Sequence, residues 1–175
     1  MVSQDIIIAS METKSQAGFK AQRPSADQPP RLEVHLGYWM RLVSNRVSGT
    51  FAGLLHKRQL SVAEWVALNL VERGTNVTPA GLADAMGMTR GAISKVLTKL
   101  ETKRWITREV SRDDSRVQWV SPTRAGSRVL PELESIADEN DARFFGVLDA
   151  DERVTLRNLL RKLAEVHAIN ISPVD

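Results

Sequence analysis

A mainly α-helical fold with a single β-hairpin is predicted by three features of the chain. Apolar residues recur at threes and fours in long stretches toward both ends, two short helical patterns meet at Gly87, and two β-rich runs follow them around a polar tip. Together these describe a winged helix-turn-helix with a two-stranded β-wing and long N- and C-terminal dimerisation helices.

Residues 1–30 mix Ser, Gln, Lys and Ala and close on Arg23-Pro24-Ser25-Ala26-Asp27-Gln28-Pro29-Pro30. Such a segment cannot offset its ordering entropy by burial, so it is expected to be a flexible arm. Its apolar opening, Val2 to Ala9, is interrupted by Ser3, Gln4 and Asp5 and lacks a basic start. Neither a signal peptide nor a membrane span is expected there, and a cytoplasmic protein is. Residues 31–58 form the N-terminal dimerisation helix, with Leu32, Leu36, Trp39, Met40, Val43, Val47, Phe51, Leu54 and Leu55 as one stripe. A stripe of that length ahead of a small domain needs a partner surface.

Residues 59–122 carry the winged helix-turn-helix. Ser61 with Glu64 three residues later is a capping box, Trp65, Leu68 and Val71 or Leu70 form the inner stripe behind it, and Gly74 ends the helix. Thr78-Pro79 is the next start signal, a hydroxyl cap followed by proline at the first helical position. This helix runs to Gly87. The one after it places Ile93, Val96, Leu97 and Leu100 on a buried face, and Gly91, Ser94, Lys95, Thr98 and Thr102 opposite, with Lys99 beside them. No acid interrupts Thr89 to Leu100. Small hydroxyls and long cations on the outward face of a second helix suit base edges and phosphates. Arg90, Ser94 and Lys95 occupy the leading turns expected to read bases, Thr89, Gly91 and Thr98 complete the surface, and Lys99 is expected at phosphate.

Trp105–Ser111 and Arg116–Ser121 then read as a hairpin, with Val110, Val117 and Trp119 as an imperfect alternation. Arg112 and Arg116 at its tip are placed to enter an adjacent minor groove. Residues 123–175 complete the dimerisation region: Thr123 caps a helix through Val129, Leu133, Ile136 and Ala137, with a kink expected near Pro131. Asp149 opens the last helix, striped by Leu156, Leu159, Leu160, Leu163 and Val166.

Charge is concentrated on the reading element. The chain is only +3, yet residues 89–124 hold nine Lys/Arg against four Asp/Glu, a local +5 that leaves the remainder at −2. That distribution favours phosphate binding by counterion release. The absence of cysteine excludes disulfides, thiolate metal sites and thiol-based sensing. No nucleophile–base pair, phosphate loop or metal constellation marks an enzyme, and His35, His56 and His167 lack ligand spacing, so no catalytic residue, cofactor or metal is assigned.

In this order and spacing, Leu82-Ala83 to Gly87, Ile93-Ser94-Lys95 before Leu100-Glu101, Arg108, Asp113-Asp114-Ser115-Arg116 and Ser121-Pro122-Thr123-Arg124-Ala125-Gly126 resemble the MarR family of bacterial transcriptional regulators. The resemblance runs from about Leu36 to Val166. It implies a homodimer with interlocking first and last helices, two wings astride a palindromic operator in double-stranded DNA, and a small-molecule pocket between the dimer helices and each DNA-binding lobe. One position departs: the family usually has glycine where Arg104 stands, and an arginine there must adopt another turn or accept a left-handed cost of roughly 1 kcal/mol.

Trp39, Met40, Val43 and Phe51 with Trp65 could wall a cavity for a small aromatic or phenolic effector whose carboxylate meets Arg41, Arg46 or His56. The same side chains serve equally well as dimer or core packing. Two other readings stand beside the DNA-binding repressor: a winged helix used for protein contacts alone, and a metal-sensing regulator.

Overall fold

The computed structural model describes residues 31–111 and 115–174. The arm at residues 1–30 and Arg112, Asp113 and Asp114 of the wing lie outside the described residues. Contacts divide the chain at Tyr38 and Trp39. In the first unit a single 3₁₀ turn, Leu32–Val34, is followed by extended backbone at His35 and the opening of α1 (Leu36–Lys57). The continuous helix expected from Leu32 is therefore broken, because His35 stands at ψ 125° outside the helical region.

In the second unit α1 continues into α2 (Val62–Arg73), α3 (Pro79–Ala85), α4 (Arg90–Thr102), an antiparallel hairpin of β1 (Ile106–Val110) and β2 (Gln118–Pro122), then α5 (Arg124–Phe145) and α6 (Ala150–Val166). Five helix starts follow from their first residue. Ser61, Thr78, Thr89, Thr123 and Asp149 each accept a hydrogen bond from a backbone N–H three residues on, and Ser61 and Asp149 complete capping boxes with Glu64 and Glu152.

Helix ends reveal a second device. At Gln59, Gly87, Arg104 and Ala168 the backbone turns left-handed, at φ 54°, 60°, 59° and 51°. At each, the next residue's N–H reaches back five residues: Leu60 to the Leu55 carbonyl, Met88 to Ala83, Trp105 to Leu100 and Ile169 to Ala164, at 2.8–3.1 Å. These are Schellman caps, and only one has the glycine such a cap favours. Arg104 thus takes the left-handed turn rather than another. Gly74 also ends its helix, but in extended backbone at φ −89°; the left-handed residue of that loop is Asn76.

One core joins these elements. Leu55 and Leu60 meet Ala67, Leu68 and Val71 of α2, Leu82 and Ala83 of α3, Ile93, Val96, Leu97 and Leu100 of α4, Ile106 and Val120 of the wing, and Leu130, Leu133 and Ile136 of α5. On α2 the half-buried Trp65 only flanks this core, edge-on to Phe51 at 5.1 Å between ring centres. The hairpin buries Ile106 and Val120; Val110 shares their face by register but is exposed, and Trp119 lies on the opposite face, which is why the alternation in the sequence is imperfect. Val120 also donates its N–H to the Val77 carbonyl at 2.8 Å, and this third strand-like contact chooses the face. In the first turns of α5 Gly126 and Leu130 are buried while Val129 is only partly so, and Pro131 lies inside an uninterrupted helix.

Outside this core two apolar stripes remain uncovered. Leu42 and Val43 in the first half of α1, and Leu159, Leu160, Leu163 and Val166 of α6, are exposed, and α6 buries no residue at all. Beyond α6 the chain returns to α3, where Ser172 donates to the Ala85 carbonyl at 2.9 Å and Ile171 covers Gly87.

Candidate nucleic-acid interface

The candidate surface is built by α4 and what holds it. Thr89 accepts the Ala92 N–H at 3.2 Å and starts the helix. Ile93, Leu97 and Leu100 are completely or almost completely buried, and Val96 is buried beside them, so α4 has one possible inner face. Thr89, Arg90, Gly91, Ser94, Lys95, Thr98 and Lys99 are consequently all exposed on the other side. The hydroxyls are already engaged as donors: Thr98 bonds to the Ser94 carbonyl at 2.9 Å and Thr102 to that of Thr98 at 2.8 Å. Their oxygens remain available to accept.

The cations divide into two groups. Arg90 and Lys95 form no ion pair among the described residues. Lys99 and Lys103, one turn apart, both turn toward Glu64 of α2, with ammonium-to-carboxylate distances of 3.4 and 2.7 Å. Glu64 is 2 % exposed. Burial pushes its carboxyl up, but the Lys103 ammonium, aided by the Ser61 N–H and Lys99, more than offsets this and holds it below the ordinary glutamate range. Lys103 also lies over the Trp105 ring at 5.6 Å. Sequence reasoning used Glu64 only as a cap; nothing local signals an ion pair to a residue 39 positions away.

The wing is tied to α4 by a second pair. Arg108 of β1 donates through Nε to Glu101 at 3.0 Å and through its terminal nitrogen to the same oxygen, and this guanidinium holds the Glu101 carboxyl below its ordinary range. Thr123 closes the base of the wing: its hydroxyl donates to the Arg104 carbonyl at 2.6 Å and its N–H to that of Trp105 at 2.9 Å. A side chain at Gly126 would put its Cβ 2.1 Å from the Trp105 carbonyl oxygen, which explains the glycine three residues after the cap. Arg116 is exposed just ahead of β2. Arg112 lies outside the described residues.

The six candidate effector residues are not gathered together. Phe51 and Trp65 meet each other, whereas Trp39 lies twelve residues from Phe51 along one helix, about 18 Å at 1.5 Å per residue. Trp39, Met40 and Val43 sit on the exposed half of α1. A cavity of about 550 Å³ does open between α1, α2 and α4, lined among others by His56, Leu60, Glu64, Lys99 and Val174. Of the six, His56 reaches it. Among the described residues no group of three or more His, Asp or Glu is arranged to hold a metal, and no helix is long and apolar enough to cross a membrane.

Comparison with known proteins agrees with this architecture. The MarR family model matches residues 58–117, from the end of α1 to the wing. A Thauera aromatica protein named for transcriptional regulation of the hcr operon is 32% identical over 96 residues, which span 55% of this chain and 58% of that relative's length. Apo MarR from Escherichia coli superposes with a TM-score of 0.66 at 23% identity, covering 74% of this chain and 96% of its own. CouR from Rhodococcus jostii, solved with p-coumaroyl-CoA, gives 0.65 at 23% identity over 78% and 96%. The matched segment spans α2, α3, α4 and the first strand of the wing, and over it the chain is similar to the MarR family of transcriptional regulators, whose solved members share its winged helix-turn-helix fold.

Proposed function

We propose that this chain is a sequence-specific DNA-binding regulator without enzymatic activity, which acts as a homodimer on a palindromic operator and responds as a repressor to a small aromatic or phenolic effector. In this reading α4 lies in the major groove with Arg90, Ser94 and Lys95 toward base edges, while Thr89, Gly91 and Thr98 line the approach. Arg112 and Arg116 of the wing lie toward the flanking groove. The observation that carries it is the outer face of α4: an acid-free surface whose leading cations, Arg90 and Lys95, have no internal carboxylate to satisfy them.

The uncovered stripes of α1 and α6 support the dimer, since a monomer would leave Leu159, Leu160, Leu163 and Val166 in water. The cavity between α1, α2 and α4 is the seat proposed for an effector. Its walls include Lys99 of the reading helix, so an occupant would act on α4 directly. That a structural neighbour was solved with an aromatic acyl thioester supports a ligand of this general chemistry.

Selection of duplexes from a random-sequence pool tests the reading. Recovery of a palindrome bound far more tightly than scrambled DNA, with affinity falling as salt rises, is the expected result. Failure to retain any duplex at low salt would leave the protein-contact reading in its place.

A further inference from the structure

The pair of lysines on the inner shoulder of α4 bears on how the reading helix is aimed. The stripe of Ile93, Val96, Leu97 and Leu100 decides which face of α4 turns inward, but apolar contacts are non-directional and leave the fine setting of its roll to other contacts. Charge-assisted hydrogen bonds are short and directional. Glu64 makes one of them and one longer ion pair at the end of α4, one turn apart: Oε2 accepts from Lys103, the C-cap residue, at 2.7 Å, and Oε1 faces the Lys99 ammonium at 3.4 Å. Its own position is held in turn, because it is the third residue of α2 and Oε2 also accepts the Ser61 N–H at 3.4 Å. A buried carboxylate stripped of these partners would be costly, so the cluster resists rearrangement.

We infer that Glu64 is a positioning residue for DNA recognition: it uses Lys99 and Lys103 to set the roll of α4 and draws the exposed Lys99 away from phosphate, leaving discrimination to Arg90 and Lys95. This rests on the DNA-reading function proposed above, and it moves Lys99 from the phosphate contacts suggested by the sequence to the internal scaffold. Lys99 remains 66 % exposed, so loss of the Glu64 charge would free its ammonium for DNA. The inference therefore predicts that neutralising one buried acid makes binding stickier and less selective at once.

The test compares wild type, Glu64→Gln and the double variant Glu64→Gln with Lys99→Gln on the selected palindrome and a scrambled duplex across a salt series. Glutamine keeps an oxygen for the Ser61 N–H while removing the charge. For Glu64→Gln the slope of log affinity against log salt on scrambled DNA should steepen by about 1.8 per dimer, one freed lysine per protomer at about 0.9 each. The ratio of palindrome to scrambled affinity should fall about tenfold, the size of one disturbed base contact. In the double variant the slope should return to the wild-type value while the ratio stays low. An unchanged ratio in Glu64→Gln overturns the inference, as does an equal loss on both duplexes with no change of slope, which is what mere destabilisation would give. Should Glu64→Gln fail to fold, Lys103→Met replaces it: a lowered ratio at constant slope supports the inference and an unchanged ratio overturns it. Wild-type protein that binds neither duplex at low salt refutes the DNA-reading function itself, a result distinct from all of these.

Discussion

The reading head and the two arms of this molecule are stabilised in opposite ways. Helices α2 to α4 and the wing close on themselves: the apolar stripe of α4 is buried, the helix starts are capped, and Glu64–Lys103 and Glu101–Arg108 tie neighbouring elements. Along α6 and the first half of α1, amphipathic helices of comparable quality face water with their leucines uncovered. Periodicity alone did not distinguish the two cases. The difference teaches that a stripe of the right spacing states only that a surface must be covered, and the topology decides whether the same chain can cover it.

The largest effect that would break this contrast is expected on the arms. Leu159→Asp or Leu163→Asp places a charge where a second copy should sit, and a buried unpaired charge costs at least about 3 kcal/mol, more than about 100-fold in dimer affinity. Sedimentation should show monomers with unchanged helical content and weakened DNA binding; wild-type protein that is monomeric at micromolar concentration would refute the dimer. Substitution in the head should behave differently. Ile93→Ala removes a completely buried side chain from α4 and should cost about 2–4 kcal/mol in denaturant unfolding while the isolated subunits still associate.

How far each region was legible follows the range of the forces involved. The caps at Ser61, Thr78, Thr123 and Asp149 were readable because acceptor and donor lie three residues apart, whereas Thr89, which caps α4 in the same way, was read only as part of the outer surface. The inner face of α4 was readable because four apolar residues sit on it and none opposes them. Which wing residues are buried was not, since Val120 is held by Val77, 43 positions earlier, while Val110 on the same face stays exposed. Nor was the role of Glu64, whose partners lie in another helix. His35 broke the first helix although the apolar period runs through it. The effector residues were grouped by period along α1, but residues that share a face can still lie several turns apart.

A smaller effect follows from acid. Glu64 and Glu101 titrate below their ordinary value in the folded chain, so the stability they contribute is complete above about pH 4.3, the unfolded value, and is lost as pH falls through the lower folded values. Urea midpoints should therefore be flat near neutrality and decline below about pH 4.5. Glu64→Gln should lessen that decline, the half-exposed Glu101 pair contributing less of it than the buried Glu64. An equal decline in Glu64→Gln would show that the buried cluster is not its source.

The smallest effect sharpens the account of the helix ends. Arg104, Gln59 and Ala168 occupy left-handed caps that glycine fills without strain. Arg104→Gly should raise stability by about 0.5–1 kcal/mol, the relief being partly offset by glycine's greater freedom in the unfolded chain. A lower melting temperature would show that the Arg104 side chain holds the turn by contacts worth more than the strain.

The central claim, that the outer face of α4 reads DNA sequence, is met most directly by Arg90→Ala measured on the selected palindrome and a scrambled duplex at several salt concentrations. Arg90 stands in the first turn without an internal ion-pair partner among the described residues, where a bidentate contact to guanine is worth about 1–3 kcal/mol of discrimination. The account predicts a loss of about tenfold or more on the palindrome and a much smaller one on scrambled DNA, so that the gap between them narrows. Equal losses on both duplexes would contradict it and leave Arg90 as a phosphate contact with no part in reading.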